Sequence, residues 1–323
     1  MPGTDDWSRA ISRNPRQEAF DRLGGRYEVR VLEPSPPAVE HEPWFADDPT
    51  ERGAVPDGRQ LVSPVTSGDL LWQDLAEGDA GLSEWCAGRW LGPYKPLEPV
   101  PSALGVTRAS LHRLAERVIS PVRQRANGKI GLRWTLDGFG TPYFGADAQV
   151  RVEGAELVID AAGEERRAPL TTIREAAATI GFDLSGADEQ QDDAPLEIDR
   201  EAACFVGDWY GFTTSVLEQL RAEAPGEWEP SRVQLWPEHF DVSVDLGNEQ
   251  AEQRAVLGGS PGDEVHPEPY LYVAPWIARP TGELWQAQGF PGAELAYAEL
   301  LVAPDPRAAA FEFFRARLAA LNA

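Results

Sequence analysis

His239 and Asp241 stand two apart in the segment Leu235-Trp-Pro-Glu-His-Phe-Asp-Val-Ser-Val-Asp-Leu246, with Glu238 beside them. His266 and Glu268 follow after a stretch rich in Gly, Ser and Pro. Successive side chains of a strand point to opposite faces, so a His and an Asp at this spacing share one face. Such a pair can hold one metal ion or form an oriented acid–base couple. The candidate catalytic set is therefore Glu238, His239, Asp241 and His266, and the candidate metal set is His239, Asp241, His266 and Glu268. Glu238 follows Pro237 near Trp236, where burial against a ring would raise its proton affinity. The same alternation sends Trp236, Phe240, Val242 and Val244 to the core, with Glu238 the odd member among them, and His239, Asp241, Ser243 and Asp245 to the other face. A polar outer strand face, with His266 in a Pro-rich turn, accounts for these residues without any chemistry.

Other motifs fail on physical grounds. Gly258-Gly-Ser260-Pro-Gly262 matches G-x-S-x-G, but a nucleophile elbow needs a backbone N–H after the serine and a helix beyond it. Pro261 has no N–H, and Gly262-Asp-Glu-Val-His-Pro-Glu-Pro269 cannot start a helix, so the phrase reads as a turn. Asn127-Gly-Lys129 lacks the upstream glycine and the Ser/Thr of a phosphate loop. Pro267-Glu-Pro-Tyr-Leu-Tyr-Val-Ala-Pro-Trp276 fits either a groove for an apolar or planar ligand or an edge strand with restricted ends.

Around these residues the chain divides into alternating β-rich and helical stretches. Residues 1–105 form a Pro- and Trp-rich arm, with a short helix over Asp6–Leu23 and a strand over Arg26–Leu32. The proline density from Pro34 to Pro56 excludes long helices there. A first unit, 106–182, opens with a helix over Arg108–Ile119 capped by Thr107, whose apolar stripe is Leu111, Leu114 and Val118. His112 stands off that stripe and reads as solvent-facing. A strand over Lys129–Leu136, a turn cluster at Asp137–Pro142 and a hairpin of Gln149–Val152 with Glu156–Asp160 follow. Thr172-Ile-Arg-Glu175 has capping-box spacing and opens a helix ending at Gly181. Residues 183–198 begin an acidic run that reads as a solvated linker.

The second unit, 199–323, starts with a long helix from Arg200 to Glu223 whose Phe205, Trp209, Phe212, Val216 and Leu220 recur at helical spacing. Strands over Tyr270–Ala274 and Glu294–Val302 follow, then a helix capped by Asp305 that packs through Phe311, Phe314 and Leu318. The fold class is α+β: two antiparallel β-units, each followed by a helix and joined by a long core helix, with the arm laid over a single compact body at 106–323.

Composition sets the outer limits. A hydrophobic content of 42% with 11 Trp and 12 Phe says globular rather than disordered. Two cysteines allow at most one disulfide. A net charge of −24 repels phosphate backbones and anionic lipid alike, so neither nucleic acid nor a membrane is the expected partner. The opening stretch lacks the apolar segment of a signal peptide, so a cytoplasmic protein is expected. Lys95 and Lys129 are the only lysines among many arginines, a bias of high-GC, actinobacterial-like genomes.

Several phrases resemble the bacterial DUF5996 proteins, a family defined only as a domain of unknown function. They are Gly128-Lys-Ile, Gly138-Phe-Gly-Thr-Pro-Tyr-Phe-Gly145, Val150-Arg-Val, Leu157-Val-Ile, His239-Phe-Asp-Val-Ser-Val244, Tyr270-Leu-Tyr-Val-Ala-Pro275 and Ala296-Tyr-Ala-Glu-Leu-Leu-Val302. The likeness spans about residues 108–320 and implies a shared architecture, with no functional residue to carry over. Function then divides two ways. Since every catalytic signature fails, a non-enzymatic module binding a small molecule or protein partner is favoured. The alternative is a metal-assisted or acid–base hydrolase-like enzyme using Glu238, His239, Asp241 and His266. A divalent metal is the one cofactor these residues suggest, and none is the simpler expectation.

Overall fold

The computed structural model describes residues 95–322 apart from 136, 142–147, 162–163, 185–188, 229 and 232. The expected helix and strand in the arm lie outside the described residues. The last part of the arm packs on the body, where Leu97 and Val100 touch the core and the Glu98 carbonyl accepts from the Tyr297 hydroxyl at 2.6 Å.

The first helix is longer than its stripe predicts. It runs through α1 (Leu104–Leu114), a π-helical turn (Ala115–Ile119) and α2 (Ser120–Asn127), and Gly128 in the left-handed region (φ 77°) ends it. Pro121 has no N–H and its ring collides with the carbonyl four residues back, so the extra residue of the π turn lets the helix continue. Thr107 is therefore not a cap. It is fully buried inside α1, and its hydroxyl accepts from the Asp199 amide at 3.0 Å.

Five antiparallel strands follow in sequence order: β1 (Arg133–Thr135), β2 (Gly138–Gly140), β3 (Ala148–Glu153), β4 (Glu156–Ala161) and β5 (Glu164–Pro169). Gly138-Phe-Gly140, expected as part of a turn, is a strand, while the expected strand at Lys129 begins only at Arg133. β5 carries no apolar alternation that would announce it. It is an edge strand held by charge, with Arg151 on Glu165 at 2.7 Å and Arg167 on Glu153 at 2.6 Å. α3 (Ile173–Ile180) has its expected limits, with the Thr172 hydroxyl accepting from the Glu175 amide and Gly181 left-handed at its end. The acidic run contains a short helix, α4 (Glu189–Asp193), and is not solvated throughout. Asp192 is buried against Arg117, 2.7 Å away.

α5 (Arg200–Glu223) matches its expected span, starts at a capping Asp199, and lies between the two sheets with Phe205, Trp209, Phe212, Val216 and Leu220 buried. Two glycines set how closely it approaches the first sheet. A Cβ on Gly207 would lie 2.3 Å from the Gly138 nitrogen, and one on Gly211 would lie 2.7 Å from the Trp134 ring.

The second sheet is again a five-stranded antiparallel meander: β6 (Gln234–Trp236), β7 (Asp241–Leu246), β8 (Ala255–Ser260), β9 (Tyr270–Pro275) and β10 (Ala293–Ala296). Leu132 and Leu235 exchange backbone hydrogen bonds of 2.7 and 2.8 Å, which joins the two sheets beside β1 and β6. Gly258-Gly-Ser260 is thus strand rather than turn, and β9 lies inside the sheet rather than at its edge. The strand expected over Glu294–Val302 stops at Ala296. There Glu299 accepts from the Ala296 amide at 3.2 Å and α6 (Tyr297–Val302) begins. α7 (Pro306–Leu321) closes the fold, capped by Asp305 and buried through Phe311, Phe314 and Leu318. Among the described residues no helix is long and apolar enough to cross a membrane.

Candidate functional site

β7 turns Val242, Val244 and Leu246 into the core beneath the second sheet, which leaves Asp241, Ser243 and Asp245 on its open face. Register builds the floor of a cleft there. Gln234, Ser243, Gly258, Tyr272 and Glu294 form one cross-strand row over all five strands. Gly258 is the position that shapes it. A Cβ there would fall 2.5 Å from the Tyr272 ring, so only glycine lets that ring lie flat across the neighbouring strand. Tyr272 then reaches over β8 and donates its hydroxyl to Asp241 Oδ2. Gly259 does the same for the other face, where Thr213 of α5 takes the space a Cβ would need.

The cleft has a volume of about 840 Å³, within the usual range for small-molecule sites. Trp236, Tyr270, Tyr272, Trp276 and Phe290 supply its rings, and Glu238, Asp241, Asp245 and Asp263 its carboxyls. Loop 276–292 folds back so that Phe290 meets Tyr272 edge to face, with ring centroids 6.1 Å apart. Trp276 donates its indole N–H to Asp245 at 3.1 Å. His112 of α1 also lines the cleft.

Asp241 is 6% exposed. Its Oδ2 is taken by Tyr272, while its Oδ1 is buried with no hydrogen-bond partner. Burial raises its pKa to about 6, against the opposing pull of the Tyr272 hydroxyl and of His239. Burial and the Asp241 charge in turn push the Tyr272 hydroxyl well above its ordinary value.

The turn before β7 explains why simple strand alternation misplaces its neighbours. Phe240 has φ 52°, a left-handed conformation that costs a bulky residue roughly 1–2 kcal/mol. Three groups hold it there. The Tyr210 hydroxyl donates to its carbonyl at 2.7 Å, Phe139 packs edge-on at 5.1 Å, and the His112 ring stacks on it at 5.1 Å with 9° between planes. This kink breaks the expected continuous strand into β6 and β7. Trp236 lands opposite Asp241, on the cleft rather than in the core. His112, expected to face solvent, is drawn in by the same ring.

At the far end, Asp263 organises the loop before β9. It accepts from the amides of Val265 and His266 at 2.7 Å each and from the Tyr270 hydroxyl at 2.8 Å. Those bonds hold its carboxyl below the usual range despite partial burial. Arg108 of α1 donates to the carbonyls of Pro261, Asp263 and Pro267 and so clamps the loop. The His266 ring lies between Asp263 (3.4 Å) and Glu294 (3.2 Å).

Of the expected site residues, Glu238 and His239 are exposed on the rim and Asp241 sits at the base of the same cleft. His266 is tied into the loop beyond the lining, and Glu268 is exposed outside it. Among the described residues no group of three or more His, Cys, Asp or Glu side chains is placed to hold a metal ion. The suggested His239–Asp241–His266–Glu268 set is not brought together. Ser260 is 4% exposed, lines the cleft beside Tyr270 and closes a local turn, accepting from the Gly262 amide at 3.1 Å. Sequence reasoning misses His112, Trp236 and Asp263, and it does not connect Tyr272 to Asp241. The alternation Tyr270-x-Tyr272-x-Ala274 carries that signal, since all three side chains line the cleft.

Gly258→Ala should displace the Tyr272 ring and strip Asp241 of its hydrogen bond. Near-ultraviolet circular dichroism should change while far-ultraviolet ellipticity stays within a few per cent of wild type. An unchanged aromatic spectrum would contradict the packing of Tyr272 on Gly258. In comparisons with protein-family models, curated proteins and solved structures, the chain matches none of them.

Proposed function

We propose that the protein is a non-enzymatic small-molecule-binding module whose site is the cleft on the open face of the second sheet. One observation carries this reading: Asp241 is buried at the base of an aromatic-walled cleft with Oδ1 lacking a partner. An unpaired buried carboxyl oxygen costs roughly 1–3 kcal/mol, more when charged. A ligand donor would satisfy it. The net charge of −24 supports a partner that is neither nucleic acid nor anionic lipid, and the reading places the protein in the cytoplasm.

A second reading has its own support. A carboxyl with its pKa near 6 is poised to move a proton close to neutral pH, so the cleft also suits metal-free acid–base chemistry on a bound substrate, with Asp241 as the base. Glu238 and His239 would flank that substrate from the rim.

Ligand-detected NMR with a mixed fragment library tests the binding reading. The hits should compete with one another, and Ala274→Trp, which projects an indole into the cleft from its floor, should weaken them at least tenfold. Hits that are unaffected by Ala274→Trp would place binding elsewhere and overturn the reading. Product formation from any hit would favour the enzyme.

A further inference from the structure

The walls of the cleft are one-sided in charge. Glu238, Asp241, Asp245 and Asp263 contribute carboxyls, and among the described residues no lysine or arginine side chain lines it. Two guanidinium groups that border its lining residues are committed elsewhere. Arg108 donates to three loop carbonyls, and Arg254 donates to the carbonyls of Trp228 and Gly247 while lying 5.1 Å from the Trp276 ring. Asp241 therefore sits buried with the Tyr272 hydroxyl on Oδ2 and no lysine or arginine beside it. Buried carboxylates are ordinarily paired, because desolvation outweighs what a single neutral donor returns.

Aromatic rings complete the pattern. Tyr270 and Tyr272 lie 6.2 Å apart between centroids, Phe290 closes on Tyr272, and Trp236 and Trp276 stand along the cleft. Ring faces carry negative electrostatic potential and attract cations within about 6 Å, most strongly where water is excluded. An anion would meet four carboxyls and neither a lysine nor an arginine. A neutral ligand could fill the apolar space but would leave the unpaired charge of Asp241 as it is. A cation with an N–H donor satisfies the rings, the field and Asp241 Oδ1 together.

Extending the small-molecule reading, on which this inference rests, we propose that the cleft binds an organic monocation: a protonated amine on an apolar or aromatic body, with its N–H on Asp241 Oδ1 and its body among the rings of Trp236, Tyr272, Trp276 and Phe290. Asp245 and Glu238 flank this position and reinforce the charge preference, while the absence of a second free oxygen on Asp241 favours a single donor over a bidentate guanidinium.

The test is a charge series on one shape, titrated by calorimetry and NMR into the full chain at pH 7.5: benzylammonium, benzyl alcohol and phenylacetate. Benzylammonium should bind at least tenfold more tightly than benzyl alcohol, with phenylacetate the weakest. Asp241→Asn, whose amide oxygen still accepts from Tyr272, should weaken benzylammonium at least tenfold and leave benzyl alcohol within about twofold. Equal binding of benzylammonium and benzyl alcohol to the wild type would overturn the cation while leaving the small-molecule site standing. The cation is overturned in the same way if phenylacetate binds best, or if benzylammonium is indifferent to Asp241→Asn. Absence of binding by all three, together with no competing hits in the fragment library, would overturn both readings.

Discussion

Asp241→Asn is expected to stabilise the protein by about 2–3 kcal/mol at pH 7.5, and the gain should shrink to under about 1 kcal/mol near pH 4. The sign follows from the direction of the shift. Burial raises the Asp241 pKa from its ordinary 3.8 to about 6, so the folded state holds a proton that the unfolded chain releases between those values. Stability from this group therefore rises as pH falls from about 6 towards 4, and above pH 6 the full penalty of an ionised buried carboxylate is present. A shift of about two units corresponds to roughly 3 kcal/mol. The groups facing Asp241 set this balance. Tyr272 and His239 favour its charge, Glu238 opposes it, and Tyr210 and Tyr270 lie close enough for their own ionisation to be suppressed by it. Asn keeps the shape and the acceptor for Tyr272 but carries no charge. Denaturant midpoints of wild type and variant, measured in parallel at pH 7.5 and pH 4, give the two differences directly. A loss of stability in the variant, or an equal gain at both pH values, would show that packing rather than buried charge governs the position.

That result would tie stability to function. A buried carboxylate whose removal strengthens the fold costs stability where it stands, and Asp241 stands in the lining of the cleft on which the binding proposal rests. An amine bound to Asp241 stabilises the ionised carboxylate, so ligand and fold would draw on the same interaction. Wild type saturated with benzylammonium should recover part of the stability that Asp241→Asn gains without it.

Much of the fold is legible because it rests on local rules. The long helix α5 shows its period through Phe205, Trp209, Phe212, Val216 and Leu220. The β3–β4 hairpin is legible although its turn falls at Gly154-Ala155, one residue beyond the expected Glu153-Gly154, and α3 and α7 show their caps. The polar face of β7 is also legible, since Asp241, Ser243 and Asp245 do share the open side.

What escapes depends on distant neighbours. Gly138-Phe-Gly140 and Gly258-Gly-Ser260 read as turns because glycine is a poor strand former. Side chains have no room at these positions: a Cβ on Gly138 or Gly140 would run into β3 at Val152 and Val150, and one on Gly258 would run into the Tyr272 ring. Alternation sends Trp236 to the core only if the strand is unbroken, and the left-handed Phe240 breaks it. The helical wheel places His112 correctly off its apolar stripe, yet off-stripe does not mean solvent once Phe240 arrives to stack on it. The candidate site is therefore legible as a residue, Asp241, but not as a cleft.

Gly207→Ala tests the joint between helix and sheet on which that cleft depends. On helix propensity alone the change should help, because Gly in a helix interior costs about 1 kcal/mol relative to Ala. The structure reverses the sign. A Cβ on Gly207 would lie 2.3 Å from the Gly138 nitrogen and 2.7 Å from the Asp137 carbonyl carbon, and these are backbone atoms that cannot rotate aside. α5 must move away from β2, opening the layer where Trp209, Tyr210 and Phe139 are buried. Overpacking of this kind costs roughly 1–3 kcal/mol, and a rigid contact on both sides puts Gly207→Ala at or above the upper end. Gly105→Ala, in α1 with nothing within 4 Å of its Cβ, is the matched control and should gain about 0.5–1 kcal/mol. The displacement also reaches the site, because Tyr210 lies three residues along α5 and its hydroxyl holds the carbonyl of Phe240 directly before Asp241. Chemical denaturation should therefore show Gly207→Ala less stable by about 2–4 kcal/mol, and benzylammonium affinity should fall with it. Stability equal to wild type would mean that the helix and the sheet do not approach as closely as their glycines require.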